Sequence, residues 1–344
     1  MDLRFLTVVP RVRDLGLHAP TALEVVRLSD AHDLDGILFF AGTGAVLDPW
    51  IAAQAAIVHS TRLEPLVAVN PTAMHPLTAA RTLASLGHLH GRRVDVNLIT
   101  GTALSDLETI GDELGHDERY ARLGEYADIL LDLLAGPRPV TRHGDYYRVT
   151  RCQLAPPLPA HLRPRVFLAG QSPPARRLGG RLGATSIHML PPTLHEAITG
   201  PCAVHLGVVT RPTEAAARRA AHAAFPPDEE AEKLQAATMT NTDSAWKRAL
   251  FAAAEGAHPA YWLGPFRRLQ ADCPYLVAAQ DDLAAVLRSL IGAGVHTFLF
   301  DLPRTTEDYA HLAEVIHAVR DRGGPAAGTR PPAAPSPAPH EPTR

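Results

Sequence analysis

A short segment near the middle of the chain has the composition of an anion-binding site. It reads Leu-Ala-Gly-Gln-Ser-Pro-Pro-Ala over residues 168–175. Gly170, Gln171 and Ser172 follow an apolar run that predicts a strand, and Pro174 favours the first turn of a helix. At such a junction, free backbone N–H groups and the serine hydroxyl can bind a phosphate. The same residues are also typical of an ordinary strand-to-helix turn, and their spacing alone favours that second interpretation.

A second candidate site follows another predicted strand, residues 94–100. Asn97 lies inside this apolar run, where its amide needs hydrogen-bond partners that the edge of a ligand can supply. A turn-forming asparagine is the alternative interpretation. A long polar loop then carries His116 and ends at Tyr120, where the apolar spacing predicts the start of a helix. Loops at the carboxyl ends of parallel strands hold the chemistry of α/β barrels, so this loop is a candidate site.

Two histidines in later predicted strands are candidate catalytic groups. His188 lies in a predicted strand at residues 186–190, and His205 in another at residues 203–210. Histidine titrates near neutrality and a strand fixes its position, so His205 is suited to acid–base catalysis. A core histidine with satisfied hydrogen bonds is an equally good interpretation of His205.

Strand and helix signals alternate along the chain and determine where these side chains would lie. Strands are predicted at residues 3–9, 35–40, 66–69, 94–100, 166–168, 186–190, 203–210 and 297–301. Helical periodicity between them predicts parallel strands joined by crossover helices. The position of the last strand favours an α/β fold of the (β/α)8 TIM-barrel type, with a doubly wound open sheet as the structural alternative.

The alternation is interrupted once, before the last strand. Residues 226–276 contain helical and irregular segments, which we interpret as an insertion. Residues 323–344 are rich in proline, alanine and glycine and have almost nothing large to bury, so they predict a disordered tail. The expected organisation is one barrel domain over residues 1–322, followed by this tail.

The composition argues against several functional classes. With 46% apolar and 20% charged residues and a net charge of −3, the chain is typical of globular proteins and has no basic field for nucleic acid or an anionic membrane. The first apolar run is broken at Pro10 and is too short for a signal peptide or membrane span, so we expect a cytoplasmic protein. Cys152, Cys202 and Cys273 lack metal-ligand spacing, which predicts reduced thiols and no metal site.

Five blocks of the sequence together resemble a known family. They are NLITG at residues 97–101, HDERY at 116–120, LAGQSPPA at 168–175, NTDSAWKRAL at 241–250 and GVHTFLFDLP at 294–303. With these blocks the chain resembles the bacterial-luciferase-like flavin monooxygenases, above all their alkanesulfonate monooxygenase branch. The similarity covers nearly the whole chain, from Leu3 to about Val319.

The resemblance implies that reduced FMN is the cofactor. The family places the flavin phosphate between the turn at Gly170 and the segment that carries His116 and Tyr120. It places the flavin ring against the ends of the third and fourth strands, at Ala68 and Asn97. By this resemblance, the candidate cofactor-binding residues are Ala68, Asn97, His116, Tyr120, Gly170, Gln171 and Ser172.

The reaction implied by the resemblance is oxygenation by a two-component enzyme. A separate NAD(P)H:flavin reductase supplies reduced FMN, and O2 adds to it as a C4a-peroxyflavin that survives only where water is excluded. The glycines at Gly179 and Gly180 do not form a dinucleotide fingerprint, which fits a chain that leaves NAD(P)H to the reductase. The resemblance also implies a homo-oligomer, a dimer or a tetramer.

The residues that hold a sulfonate in the alkanesulfonate branch are largely replaced. Its strand-seven Arg-x-His pair falls on His205 and Gly207, its strand-six tryptophan on Met189 and its early cysteine near Val46. A buried anion without cationic partners is costly, so these changes predict another substrate, a small organic molecule such as a biosynthetic intermediate. His205 and His188 are the catalytic candidates for that substrate.

Three alternative functions stay open at this point. The chain could be an alkanesulfonate-type monooxygenase after all, or a deazaflavin-dependent oxidoreductase that transfers hydride, as another branch of the superfamily does. It could also be a non-catalytic flavin-binding relative. The identity of the cofactor separates the second alternative from FMN chemistry, and oxygen-dependent turnover would exclude the third.

Overall fold

A computed structural model describes residues 2–10, 12, 14–42, 47–101, 103–194, 198, 200–253, 258–302 and 305–321. Its strands are β1 (Arg4–Val8), β2 (Gly36–Phe39), β3 (Glu64–Val69), β4 (Asp95–Leu98), β5 (Val140–His143), β6 (Arg148–Cys152), β7 (Val166–Ala169), β8 (Thr185–Met189), β9 (Cys202–Arg211), β10 (Tyr261–Trp262), β11 (Tyr275–Ala279) and β12 (Val295–Asp301).

Helices alternate with most of these strands. They are α1 (His18–Ala31), α2 (Pro49–Val58), α3 (Pro76–His90), α4 (Leu104–Thr109), α5 (His116–Ala135), α6 (Pro173–Leu182), α7 (Glu214–Ala224), α8 (Glu229–Thr238), α9 (Ala245–Ala252), α10 (Gly264–Arg267), α11 (Gln280–Gly292) and α12 (Thr306–Asp321). No helix among the described residues is long and apolar enough to cross a membrane.

Eight parallel strands close into a barrel. They follow the order β1, β2, β3, β4, β7, β8, β9 and β12, and β12 pairs back to β1. The closing pair β8–β9 joins what would otherwise be the two edges of an open sheet. The predicted (β/α)8 barrel is therefore confirmed, and each of its eight strands lies within two residues of its predicted start.

Side chains alternate between the barrel interior and the surrounding helices, as they must along a strand. The interior cluster of buried residues consists of Leu6, Val8, Leu38, Leu66, Phe167, Ile187, Ala203 and Leu299. Their strand neighbours, such as Phe5, Ile37 and Val204, belong to the larger core between barrel and helices. The alternation thus assigns each strand residue to one of the two faces.

Charged residues close the amino-terminal end of the barrel. Arg4 donates from Nη1 to Asp95 Oδ2 and from Nη2 to Glu64 Oε2, both at 2.9 Å. Arg165 donates from its backbone N to Asp95 Oδ1 at 2.9 Å and from Nε to Asp95 Oδ2 at 3.0 Å, and its guanidinium also pairs with Glu64. The Asp95 side chain is fully buried. At this end, each buried charge is paired.

The segment after β4 differs from its prediction as a loop. Helix α5 begins at His116 and not at Tyr120, because Glu118 returns its carboxylate to the backbone N of Gly115 at 2.9 Å and caps the helix there. Helix α4 occupies part of the same predicted loop. His116 and Tyr120 therefore lie one turn apart on one rigid helix.

The region between α7 and α11 contains α8, α9, α10 and a two-stranded antiparallel pair, β10–β11. The sequence did not predict β11, which pairs in parallel with the second half of β9, from Tyr275 opposite Gly207 to Ala279 opposite Arg211. This pairing is possible because β9 is ten residues long and continues past its partner β8. The predicted tail at residues 323–344 lies outside the described residues.

Candidate active site

The predicted anion-binding turn lies at the start of α6. Ser172 is the N-cap residue, and its Oγ accepts a hydrogen bond from the backbone N of Ala175 at 3.4 Å. Gly170 has a φ of +133°, and a Cβ at this position would lie 2.3 Å from Tyr120 Oη. Glycine is thus required both by its backbone conformation and by the close approach of the phenol. The turn presents backbone N–H groups and a hydroxyl at a helix N-terminus, which is suitable for a phosphate.

Tyr120 of α5 lies between this turn and the end of β4. Thr100, just after β4, and Ser172 both have side chains near its hydroxyl, and burial raises the pKa of the phenol. The His116 ring lies with its centroid 5.1 Å from that of Tyr120, and its Nδ1 is 2.6 Å from Asp117 Oδ1. The structure therefore brings His116, Tyr120, Gly170 and Ser172 together around one position.

A nearby cation was missed by the sequence reasoning. Arg176, one turn into α6, donates from Nη1 to the backbone oxygen of Gln171 at 2.6 Å. Its side chain is exposed, so the guanidinium is available to an anion at the turn. An arginine four positions after an N-cap serine would have been a usable signal, since that spacing places it on the first turns of the predicted helix.

Ala68 and Asn97 are neighbours on adjacent strands. Ala68 of β3 lies opposite Asn97 of β4, which in turn lies opposite Phe167 of β7. Strand alternation places all three on the interior face, at the carboxyl-terminal end of the barrel. Both Ala68 and Asn97 are buried. A small residue beside an amide leaves room for a flat ring, the role that the family resemblance implies for these two residues.

Asn97 is buried without full hydrogen bonding. Its Oδ1 has no partner among the described residues, although the side chain is inside the barrel. Leaving a buried acceptor unsatisfied costs about 1–3 kcal/mol, so such atoms are rare unless a ligand or water completes them. The orphaned amide oxygen therefore fits a cofactor that donates a hydrogen bond at this position.

His205 lies on the interior face of β9, two residues after Ala203 of the interior cluster. It is buried, and its Nε2 has no hydrogen-bond partner among the described residues. Burial lowers the pKa of His205 to about 4, so its imidazole is neutral near pH 7. Because Nε2 has no partner, His205 is not the core histidine with satisfied hydrogen bonds that was the alternative interpretation.

His188 is directed to the other side of the sheet. It follows Ile187 of the interior cluster, so alternation turns its side chain toward the helices. Met189 is the residue of β8 that lies opposite His205. The structure does not bring His188 and His205 together, and this placement corrects the prediction that His188 points toward the site from its strand.

Tyr275 and Cys273, which meet Asp301 beside His205, were not predicted as part of the site. The Tyr275 ring packs so closely on Gly207 that a Cβ at residue 207 would lie 2.1 Å from it. The Tyr275 hydroxyl donates to Asp301 Oδ1 at 3.1 Å, and Cys273 Sγ lies 4.0 Å from Asp301 Oδ2. A glycine inside a strand is a signal that another group approaches closely, but it does not identify that group.

Comparisons with known proteins agree with this architecture. Residues 3–266 match the profile of a family described as luciferase-like monooxygenase. A relative from Niallia circulans, 4-(gamma-L-glutamylamino)butanoyl-[BtrI acyl-carrier protein] monooxygenase BtrO, is 31% identical over 311 residues, which are 87% of this chain and 91% of the relative.

Solved structures of lower identity share the fold. Long-chain alkane monooxygenase (LadA) superposes with a TM-score of 0.71 at 16% identity, over 94% of this chain and 92% of its own. EDTA monooxygenase (EmoA) from Chelativorans sp. BNC1 has a TM-score of 0.70 at 17% identity, over 96% of both chains. An F420-dependent secondary alcohol dehydrogenase has a TM-score of 0.66 at 16% identity, over 93% of this chain and 100% of its own. Because an F420-dependent enzyme shares this fold, the fold alone does not identify the cofactor of this chain.

Proposed function

The chain belongs to the luciferase-like monooxygenase family, and from this premise we propose that it is a two-component monooxygenase that uses reduced FMN and O2. The observation that carries the choice of site is the buried, unpartnered Oδ1 of Asn97 beside Ala68. The reaction would pass through the C4a-peroxyflavin, with a separate NAD(P)H:flavin reductase as the source of reduced FMN. A homo-oligomeric state, dimer or tetramer, is part of the same proposal.

The residues around α6 would hold the FMN phosphate. Ser172, Gly170 and Gln171 supply the helix N-terminus, and His116 and Tyr120 approach from α5. The Tyr120 phenol is neutral because burial raises its pKa, so it can donate a hydrogen bond to a phosphate oxygen. This assignment is supported by the convergence of these side chains on one turn.

The interior of the barrel would exclude water from the reacting centre. The buried apolar cluster that includes Leu38, Leu66 and Phe167 lines the barrel interior beside and below Asn97 and would keep water from that side of the ring. Asn97 would orient the flavin through a hydrogen bond, and Ala68 would leave space for the ring. When bound, reduced flavin supplies the electrons that activate O2. His205 lies nearest the substrate side in this assignment.

For the substrate, we propose an acyl biosynthetic intermediate carried as a thioester on an acyl-carrier protein. The relative BtrO is named as the monooxygenase of such a substrate, at 31% identity over 87% of this chain. An alkanesulfonate is disfavoured because the strand-seven positions are a neutral His205 and Gly207, and an acidic Asp301 lies next to them. A sulfonate would need cations where these residues are.

Anaerobic titration with reduced FMN and, in parallel, with a reduced deazaflavin tests the cofactor assignment. We expect saturable binding of reduced FMN, followed by a long-lived C4a oxygen adduct in its absorbance after mixing with oxygenated buffer. Preference for the deazaflavin would instead place the chain among hydride-transfer oxidoreductases. Binding of FMN without an oxygen adduct or turnover would make it a non-catalytic flavin-binding protein.

The substrate assignment has its own test. The purified chain is supplied with reduced FMN, O2 and 4-(γ-L-glutamylamino)butanoyl thioester on its carrier, and the acyl group is analysed by mass spectrometry. We expect a gain of one oxygen atom on the carrier-bound acyl group. Oxygenation of a simple alkanesulfonate but not of the thioester would overturn the substrate proposal and leave the cofactor assignment intact.

A further inference from the structure

Three potential metal ligands meet beside the barrel mouth. His205 lies on β9, Cys273 precedes β11, and Asp301 ends β12, and their donor atoms all lie within 4.8 Å of one another. The relative exposures of these residues are 8%, 0% and 9%. The barrel and the segment inserted before its last strand therefore build this cluster together, from positions far apart in the sequence.

The chemistry of the donors favours one class of ion. An imidazole nitrogen, a thiolate and a carboxylate are the ligands typical of zinc, whereas magnesium and calcium prefer oxygen alone. A thiolate and a carboxylate together would neutralise a divalent cation. The occupied cluster would therefore carry no net charge, which a site this deeply buried requires.

The hydrogen bonding of the cluster is incomplete without an ion. His205 Nε2 is buried and has no partner among the described residues, and an imidazole nitrogen is a common metal ligand. Cys273 Sγ and Asp301 Oδ2 are 4.0 Å apart, which is the outer limit of a sulfur hydrogen bond. Ligand bonds to zinc are about 2.0–2.3 Å long, so donors at these separations can reach a common ion after small side-chain shifts.

Tyr275 supports one of these three ligands. Its hydroxyl donates to Oδ1 of Asp301 at 3.1 Å, while Oδ2 is the oxygen directed to Cys273. Hydrogen bonds of this kind fix the orientation of a ligating carboxylate. The close packing of the Tyr275 ring on Gly207 holds the phenol in place.

We propose that His205, Cys273 and Asp301 bind one divalent ion of the zinc class. Three protein ligands leave a fourth position for water or a donor atom of the substrate, as in open zinc sites. His205 then contributes to the site as a metal ligand and not as an acid–base group. The proposal does not depend on the flavin chemistry, and it replaces the prediction from cysteine spacing that the chain has no metal site.

Metal content and cobalt spectroscopy test the proposal on the full chain. The chain is purified without chelators and analysed for zinc, then stripped and titrated with Co2+. We expect about one equivalent of metal per chain, with visible cobalt bands of a low-symmetry site and a near-ultraviolet thiolate-to-cobalt band. Metal content far below one equivalent together with no thiolate band would overturn the proposal.

Variants of two buried cysteines provide a matched comparison. Cys273→Ser is expected to abolish the thiolate-to-cobalt band and to weaken zinc retention at least tenfold. Cys202→Ser removes a buried thiol of β9 that is not part of the cluster. This variant is expected to keep the thiolate-to-cobalt band and to retain zinc as the wild-type chain does. Equal cobalt spectra in the two variants would contradict the assignment. Circular dichroism of the metal-free proteins separates loss of metal from loss of fold.

Tyr275→Phe tests the hydrogen bond that supports Asp301 separately from the ligands themselves. It removes the hydrogen bond to Asp301 but keeps the ring that packs on Gly207. We expect zinc affinity to fall about tenfold while the thiolate-to-cobalt band persists, because Cys273 still binds. Unchanged zinc affinity in this variant with an intact fold would contradict the role of Tyr275 in orienting Asp301 for the metal.

Discussion

The two ends of the barrel differ in the hydrogen-bond partners that they offer to polar side chains of the same strand. On β4, Asp95 and Asn97 are two residues apart and share the interior face, and both are buried. At the amino-terminal end, both carboxylate oxygens of Asp95 are paired with Arg4 and Arg165. At the carboxyl-terminal end, the Asn97 Oδ1 has no partner among the described residues. Two side chains of similar size, only two residues apart, thus differ in whether their oxygen atoms are hydrogen-bonded.

The difference shows how polar groups are divided inside this barrel. Those at the amino-terminal end bind one another, which stabilises the fold and leaves them unable to bind anything else. At the carboxyl-terminal end, Asp301 accepts a hydrogen bond from Tyr275, but the interior atoms Asn97 Oδ1 and His205 Nε2 have no partner among the described residues. In barrels of this type, the carboxyl-terminal face carries the active site and the opposite face serves stability. The following variants test this division.

Asp95→Asn should have the largest effect on stability. It removes the charge shared by Arg4 and Arg165 inside the barrel, and breaking a buried ion pair costs about 3–5 kcal/mol. The free energy of unfolding, measured by chemical denaturation, should fall by that amount. Glu113→Gln changes an exposed carboxylate and should alter stability by less than about 0.5 kcal/mol. A loss below about 1 kcal/mol for Asp95→Asn would contradict the stabilising role of this end.

Gly170→Ala should have the next largest effect. The new Cβ would lie 2.3 Å from Tyr120 Oη, and the backbone has a φ of +133°, so strain of about 1–3 kcal/mol is expected. Displacement of Tyr120 should also weaken the binding of reduced FMN, measured by anaerobic titration. Gly180→Ala is the matched control, because nothing lies within 4 Å of its Cβ position and alanine favours the helix. If both variants bind FMN equally well, the turn is not the phosphate site.

Asn97→Leu should separate binding from stability. Removing an amide with an unsatisfied oxygen relieves a desolvation cost, so the free energy of unfolding without ligand should stay constant or rise. The affinity for reduced FMN should fall about tenfold, or 1.4 kcal/mol, because the hydrogen bond to the flavin is lost. A stability loss like that of Asp95→Asn with unchanged FMN affinity would mean that Asn97 has a purely structural role.

Ser172→Ala should have modest effects on both stability and FMN binding. It removes the N-cap of α6, which is worth about 1 kcal/mol, and one hydroxyl at the phosphate position. Thr213→Ala removes the equivalent cap of α7, where Thr213 accepts from Ala216 N at 3.3 Å. We expect similar losses of stability in the two variants, but weaker FMN binding only in Ser172→Ala. Equal FMN affinity in both would remove Ser172 from the phosphate site.

Local signals were sufficient for the fold and for part of the site. Strand periodicity predicted the eight barrel strands, and the glycine, serine and proline at residues 170–174 predicted the turn before α6. The sequence also indicated that the Asn97 amide, inside an apolar strand, needs hydrogen-bond partners that a ligand can supply, and its Oδ1 has no partner among the described residues. These features depend on residues that are neighbours along the chain, so they can be predicted from the sequence alone.

The remaining features depend on residues distant in sequence. Strand β11 is a short apolar run within irregular segments, and it forms a strand only because β9 extends past β8. A shift of one residue along a strand moves every side chain to the opposite face of the sheet. The direction of His188 therefore depends on the exact position of β8, which local patterns do not define. The cluster of His205, Cys273 and Asp301 has no local signal, since its members come from separate elements.

The most direct test of the division between the two ends is chemical denaturation under anaerobic conditions, with and without reduced FMN. The wild-type chain, Asp95→Asn and Asn97→Leu are compared by the shift that FMN causes in the unfolding midpoint, since a ligand stabilises only the state that binds it. We expect Asp95→Asn to start from a lower midpoint and to show the full FMN shift. Asn97→Leu should start from the wild-type midpoint or above it and show a much smaller shift. A full shift in Asn97→Leu, or a lost shift in Asp95→Asn, would contradict the assignment of binding to the carboxyl-terminal end and of stability to the amino-terminal end.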